Sequence, residues 1–247
     1  MNSIELLGLK VNRLTMDEAL AAIIGFVEER TPCHVVTADA SMVVLAGEDA
    51  DLKRIVRNAD LVTPDGAGIL WASKLLGVRI SNKVSGVDLV EKLCMESSKT
   101  GLRLFFLGAG PEVAATAAKK LIEKYPGAQI VGTRNGYFKA DEEASIVQTI
   151  TDAKPDILFV AFGIPKQEKF IDRYKADLAV PVCIGVGGSF DVYSGLVKRA
   201  PVWMQNAGLE WIFRLYQNPK KISKVMTLPR FALLALWTSV TGRPSNK

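Results

Sequence analysis

The sequence predicts an α/β chain built on a parallel sheet with helices on both faces. Three observations carry that prediction. Apolar runs recur at "LRLFFLG" (102–108), "AQIVGT" (128–133), "DILFVAFG" (156–163) and "VPVCIGVGG" (180–188). Segments of helical length separate them, and strand, loop, helix, strand at this rhythm is the signature of a parallel sheet. The clearest runs are continuously apolar rather than alternating, as in strands covered on both sides. With 49% hydrophobic residues in 247, the chain has material for one large domain, or one domain with an appendage.

The elements follow in order. Met1-Asn2-Ser3 leads straight into strand-like residues with no small-residue cleavage site, so no signal peptide is expected. Thr15-Met-Asp-Glu18 reads as a capping box opening a helix over 19–27. "CHVVTAD" (33–39) is a strand ending at Thr37, and helices are expected over about 40–47 and 49–58. In "LVTPDGAGILWASKLLG" (61–77) a strand stops at Pro64 and delivers Asp65 before Gly66. Ile69, Leu70, Ala72, Ser73 and Leu76 then recur at helical spacing. The strand at 102–108 runs through Gly108-Ala-Gly110 into Pro111, which suits the first turn of a helix because its missing N–H has no partner there.

Composition changes near Gly195, which divides the chain into a core at 1–195 and an appendage at 196–247. The appendage holds nine basic residues and one acid, Glu210; it carries +8 and leaves −3 on the core. An anionic partner would therefore meet the C-terminus. Leu209, Ile212, Phe213 and Tyr216 share one helical face. The apolar stretch 231–240 has half the ~20 residues needed to span a bilayer, so it is expected to lie at a membrane surface, with core packing or a subunit interface as the alternative. Basic residues near anionic lipid add roughly 1 kcal/mol each. Exposed aromatics also allow a homo-oligomer. The core is slightly acidic and no nucleic-acid reader motif occurs, so nucleic acid is not an expected partner.

Cys33, Cys94 and Cys183 lie in apolar surroundings without paired spacing, which suggests reduced thiols and a cytoplasmic location. The single histidine, His34, excludes His-rich metal sites and reads as a half-buried strand residue.

In open parallel sheets, ligands sit beyond the carboxyl ends of the strands. Five stretches fall at that edge: 37–39, 64–66, 108–110, 163–168 and 185–191. Together they describe a pocket able to hold a phosphorylated ligand on backbone amides and helix dipoles. A dinucleotide fingerprint at Gly108 would need Gly or Ala at 113, where Val113 stands. Asp49-Ala-Asp51 mimics a metal-binding acidic pair but sits at a polar helix start, where acids complement the dipole. Asp65 is compatible with two roles, helix N-cap and catalytic base.

At "VTPDGAGI", "GYF" (136–138), "AFGIPKQEKFI" (161–171), "GVGGSFDVYSGLVKRAP" (185–201) and "GLEWIFRL" (208–215), the chain resembles the WecG/TagA/CpsF glycosyltransferases along nearly its whole length. The resemblance implies a Rossmann-like core with a C-terminal helical appendage. It also implies inverting transfer, without a required metal or other cofactor, of N-acetylmannosamine or a related sugar from a UDP-sugar. The acceptor is polyprenyl-diphosphate-linked GlcNAc, used at the inner face of the bacterial membrane for cell-surface polysaccharide. Carried onto this sequence, Asp65 matches the proposed base, and Thr37 and Gln167 match polar residues lining the active site. Gly187, Gly188 and Asp191 fall in the nucleotide segment, and Tyr137 in a loop reaching the base. Arg214 matches a basic residue near the diphosphate. Asp39 stands where the family often has Asn, and Lys83 where it commonly has Arg; a lysine keeps the charge but loses the planar fork for phosphate.

Such chemistry needs one carboxylate to take the acceptor's proton, since UDP is already a good leaving group. Gly108 and Lys166 are further donor-side candidates, and Lys83, Lys221 and Lys224 are candidates for the diphosphates. Two other readings compete: a nicotinamide-dependent oxidoreductase, and a non-catalytic membrane adaptor with a sugar-nucleotide fold.

Overall fold

In the computed structural model, residues 2–217 and 226–242 are described, the side chains of Asn206 and Arg214 excepted. A small antiparallel hairpin, β1 (Ser3–Leu6) and β2 (Leu9–Asn12), precedes the main sheet. That sheet contains β3 (Cys33–Ala38), β4 (Leu61–Pro64), β5 (Arg103–Gly108), β6 (Gln129–Arg134), β7 (Ile157–Ala161) and β8 (Val182–Gly185). They are all parallel, in the order β4-β3-β8-β7-β5-β6. The α/β fold with a parallel sheet flanked by helices is thus as the sequence predicts.

Burial explains the periodicities. Every residue of β3, β4, β7 and β8 is buried, which is why they read as unbroken apolar runs. The edge strand β6 is half-exposed, in keeping with its more mixed sequence. On one face, α1 (Met16–Glu29), α5 (Gly86–Thr100) and α6 (Val113–Lys124) cover Val35, Leu104, Phe106 and Phe159. Phe190 stacks on Phe106 there at a ring separation of 4.6 Å. The opposite face is covered by α2 (Ala40–Glu48), α3 (Ala50–Asn58), α7 (Glu143–Ala153) and α8 (Lys166–Leu178). The capping box forms: Glu18 N donates to Thr15 Oγ1 at 3.2 Å, and Thr15 N donates to Glu18 Oε2 at 2.7 Å. These bonds hold the Glu18 carboxyl below its ordinary range.

Two details differ from the sequence reading. Pro111 precedes α6 instead of opening it, because Glu112 takes a left-handed conformation at the N-cap and delays the first turn to Val113. His34 is buried, not half-buried, since β3 lies inside the sheet; burial pushes its imidazole down to about 4. Asp49 stands at a helix start as expected: it caps α3, accepting from Leu52 N at 3.0 Å, and pairs with Lys169 on α8 at 2.6 Å.

After β8 come α9 (Ser189–Tyr193), α10 (Val202–Asn206), α11 (Glu210–Gln217) and α12 (Thr227–Thr241). Helix α12 packs on α2 and on α4 (Ala67–Leu75), with Phe231 and Ala235 buried among their side chains. Ser41 and Thr227 share a hydrogen bond at 3.0 Å, and Arg230 pairs with Glu48. The stretch 231–240 therefore has two faces, one seated on the core and one carrying exposed Leu233, Leu236, Trp237 and Val240. No described helix is long and apolar enough to cross a membrane.

Candidate active site

A cavity of about 280 Å³ opens beyond the carboxyl ends of β3, β4, β7 and β8. Thr37, Asp39, Asp65, Lys83, Gln167, Gly187, Gly188 and Asp191, all singled out from the sequence, line it. The appendage closes one side with Gln205, Gly208, Glu210 and Trp211.

Asp65 arrives by sheet register. Thr37 pairs with Thr63, and Asp65 N continues the ladder by donating to Ala38 O at 2.9 Å. The cap question resolves in an unexpected way. Helix α4 starts at Gly66 (φ 90°) with no side-chain cap, and Asp65 instead accepts a hydrogen bond from Gly86 N, the first residue of α5, at 3.1 Å. The carboxylate is thus oriented by a helix N-terminus that is distant in sequence. Gly86 suits this contact: a Cβ there would lie 3.3 Å from Val186 Cα and 3.4 Å from Thr37 Oγ1.

Thr37 Oγ1 donates to Gly185 O at 2.8 Å, which fixes its hydroxyl and leaves its lone pairs toward the cavity chemistry. Gln167 is buried. Its Oε1 accepts from Gly163 N at 3.1 Å and from Gly187 N at 3.0 Å, while its Nε2 donates to Glu168 Oε1 at 2.7 Å. The amide of Gly187, one of those expected to cradle phosphate, is therefore committed to Gln167. Asp39 caps α2, accepting from Met42 N at 2.8 Å. Asp191 stands on the short helix α9, which Tyr193 anchors by donating to Val87 O at 2.8 Å and Glu91 Oε2 at 3.1 Å. Lys83 Nζ lies 3.8 Å from Glu210 Oε2, so the core and the appendage meet across the cavity as an ion pair.

Several expected residues lie elsewhere. Gly108 is buried at the end of β5 and does not line the cavity. A Cβ on it would come within 2.6 Å of Ala161 O, so its glycine serves strand packing. Tyr137 is 74% exposed on the neighbouring loop, beside a smaller cavity of about 110 Å³ lined by Thr133, Arg134 and Asn135. Lys166 is exposed at the start of α8 and also stands off the main cavity. Arg214 lies on α11, Lys221 and Lys224 fall outside the described residues. The sequence reading missed Ser85, Glu210 and Trp211 as lining residues. Ser85-Gly-Val-Asp88 carries a capping signature that marks a helix start, and Glu210 is the lone acid of a basic tail; both signals were legible.

Among the described residues no three His, Cys, Asp or Glu side chains converge as metal ligands. The cavity's described charges are the acids Asp39, Asp65, Asp191 and Glu210 and the base Lys83.

Residues 4–245 of the chain that holds this carboxylate match the model of the glycosyl transferase WecG/TagA/CpsF family. The chain belongs to this family. It is similar to the N-acetylglucosaminyldiphosphoundecaprenol N-acetyl-beta-D-mannosaminyltransferase of Bacillus subtilis strain 168, 34% identical over 85% of this chain and 82% of that one. The enzyme of the same name from Staphylococcus aureus strain MW2 is 29% identical over 92% of this chain and 90% of that one. Membership of the WecG/TagA/CpsF family makes the chain a glycosyltransferase and not the nicotinamide-dependent oxidoreductase that competed with that reading of its sequence.

Proposed function

We propose that this glycosyltransferase moves an N-acetylmannosamine-type sugar from a UDP-sugar to a polyprenyl-diphosphate-linked GlcNAc, with inversion and without a metal ion. The observation that carries the reading is Asp65, its carboxylate set in the cavity by Gly86 N and flanked by Thr37. In the reaction the acceptor hydroxyl attacks the anomeric carbon while its proton passes to Asp65. The bond from that carbon to the diphosphate breaks, and UDP leaves.

Four carboxylates suit hydroxyl-rich sugars, since ionised acids accept hydrogen bonds from sugar and ribose. The developing charge on UDP falls to Lys83, to the basic appendage with Arg214, and to the uncapped amides at the start of α4. In this reading Asp191 and Gly188 face the nucleotide. The exposed Trp237 face of α12, with the appendage's basic residues, brings the enzyme to an anionic membrane where a lipid-linked acceptor resides.

The test is incubation of the purified enzyme with a panel of UDP-sugars and a short-chain diphosphate-linked GlcNAc, with and without EDTA. Product mass identifies the sugar and its NMR coupling identifies the anomer. A retained anomeric configuration, or activity abolished by EDTA, overturns the corresponding part of the proposal.

A further inference from the structure

We infer that Glu168 is a positioning residue for the donor site: it fixes the Gln167 amide in the one orientation that holds the Gly163 and Gly187 loops. Glu168 is fully buried in the first turn of α8 and does not line the cavity, so any effect on a ligand passes through its neighbour.

The orientation follows from donor and acceptor chemistry. The Gly163 and Gly187 amides are both donors, so the atom between them must be the Gln167 oxygen. The NH₂ of Gln167 then points the other way and needs an acceptor, which Glu168 Oε1 supplies at 2.7 Å. Glu168 Oε1 accepts here, so it stabilises this rotamer and penalises the flipped one, which would set oxygen against oxygen.

Packing gives the same answer independently. A Cβ on Gly185 would lie 2.5 Å from Gln167 Nε2 and 3.0 Å from Glu168 Oε1. The two side chains thus occupy the space a side chain on β8 would take, and Gly185 O meanwhile receives the Thr37 hydroxyl. Thr37, Gly185, Gln167 and Glu168 form one unit beneath the cavity, joining β3 and β8 to the loops that follow β7 and β8.

The experiment is residue-resolved amide hydrogen exchange by NMR on the full chain, together with UDP titration. Exchange at Gly163 and Gly187 is expected to quicken in Glu168→Leu. In Glu168→Gln it should quicken less, because that amide offers both a donor and an acceptor and lets Gln167 populate two orientations. UDP affinity should fall about ten- to a hundredfold in Glu168→Leu, with much of it restored in Glu168→Gln. The double variant Gln167→Ala/Glu168→Leu should bind UDP no more weakly than Gln167→Ala, since the two act as a unit. Should Glu168→Leu not fold, faster exchange in the isosteric Glu168→Gln supports the inference and unchanged exchange overturns it. Multiplying losses in the double variant also overturn it. The titration rests on the UDP-sugar reading of the cavity; exchange does not. Failure of UDP to bind the unmodified enzyme would sink that reading alone, and unaltered exchange in folded variants would sink the positioning role alone.

Discussion

The core and the appendage use the same kinds of apolar residue to opposite ends. In the core, Phe105, Phe106, Phe159 and Phe190 are almost wholly buried, and the carboxylates at the sheet's edge are tied to backbone amides. In the appendage, Trp203, Tyr216, Leu233, Trp237 and Val240 face outward, while Phe231, Ala235, Leu228 and Leu234, a hydroxyl pair and the ion pairs Lys83–Glu210, Arg199–Asp88 and Arg230–Glu48 anchor it to the core. Under the proposed membrane contact, these outward aromatics are the residues that would meet the surface. The site draws on both regions, since Glu210 and Trp211 help line a cavity otherwise made by sheet loops.

Four measurements break or sharpen that contrast, the largest effect first. Asp65→Asn removes the proposed base and leaves the appendage intact. Sugar transfer should fall about 10²–10⁴-fold while UDP binding by calorimetry stays near its original value; unchanged turnover would take Asp65 out of the mechanism. Phe231→Ala should destabilise the docking of α12 by about 3–5 kcal/mol, read by urea denaturation, because it opens a cavity between α2, α4 and α12. A change below the surface-substitution range would mean that α12 is not part of the cooperative fold.

Acid tests the core alone. Burial, assisted by the nearby positive charge of Lys175, depresses the His34 imidazole in the folded chain to about 4. The unfolded chain binds that proton near pH 6.5. Unfolding therefore takes up a proton between these values, and stability is complete above pH 6.5 and falls as pH drops toward 4. The loss is about 3 kcal/mol at most. Denaturation midpoints from pH 7 to 4 should show this fall, and His34→Leu should flatten it. The smallest effect belongs to the outer face of α12. Leu233→Ser with Trp237→Ser should weaken co-sedimentation with anionic vesicles about tenfold and leave folding stability within about 0.5 kcal/mol. Unchanged vesicle binding would assign that face to another partner.

Much of the site was legible because its residues cluster at strand ends. Thr37, Asp65, Gln167 and Asp191 each follow an apolar run, and parallel strands bring such ends to one rim. Gly108 satisfied the same pattern yet serves packing against Ala161, since a glycine beside a ligand and a glycine beside a backbone look alike in one dimension. Gln167 was legible as a site residue but not as a clamp, because its partners Gly163 and Gly187 meet only when β7 and β8 pair. Phe231 looked like a membrane residue for a similar reason: local hydropathy does not distinguish an apolar face that meets lipid from one that meets α2.

By itself the sequence determined the strands, the helices, the parallel architecture and the identity of the carboxylate at the end of β4. Periodicity, capping and turn chemistry act over a few residues and are written locally. Only the tertiary structure decided what that carboxylate does with its hydrogen bonds: Asp65 passes over its own helix and takes the amide of Gly86, twenty-one residues on. It likewise decided that Lys83 faces Glu210 from the far end of the chain. Hydrogen bonds and ion pairs act over a few ångströms of space, and folding alone sets which distant residues come within that range.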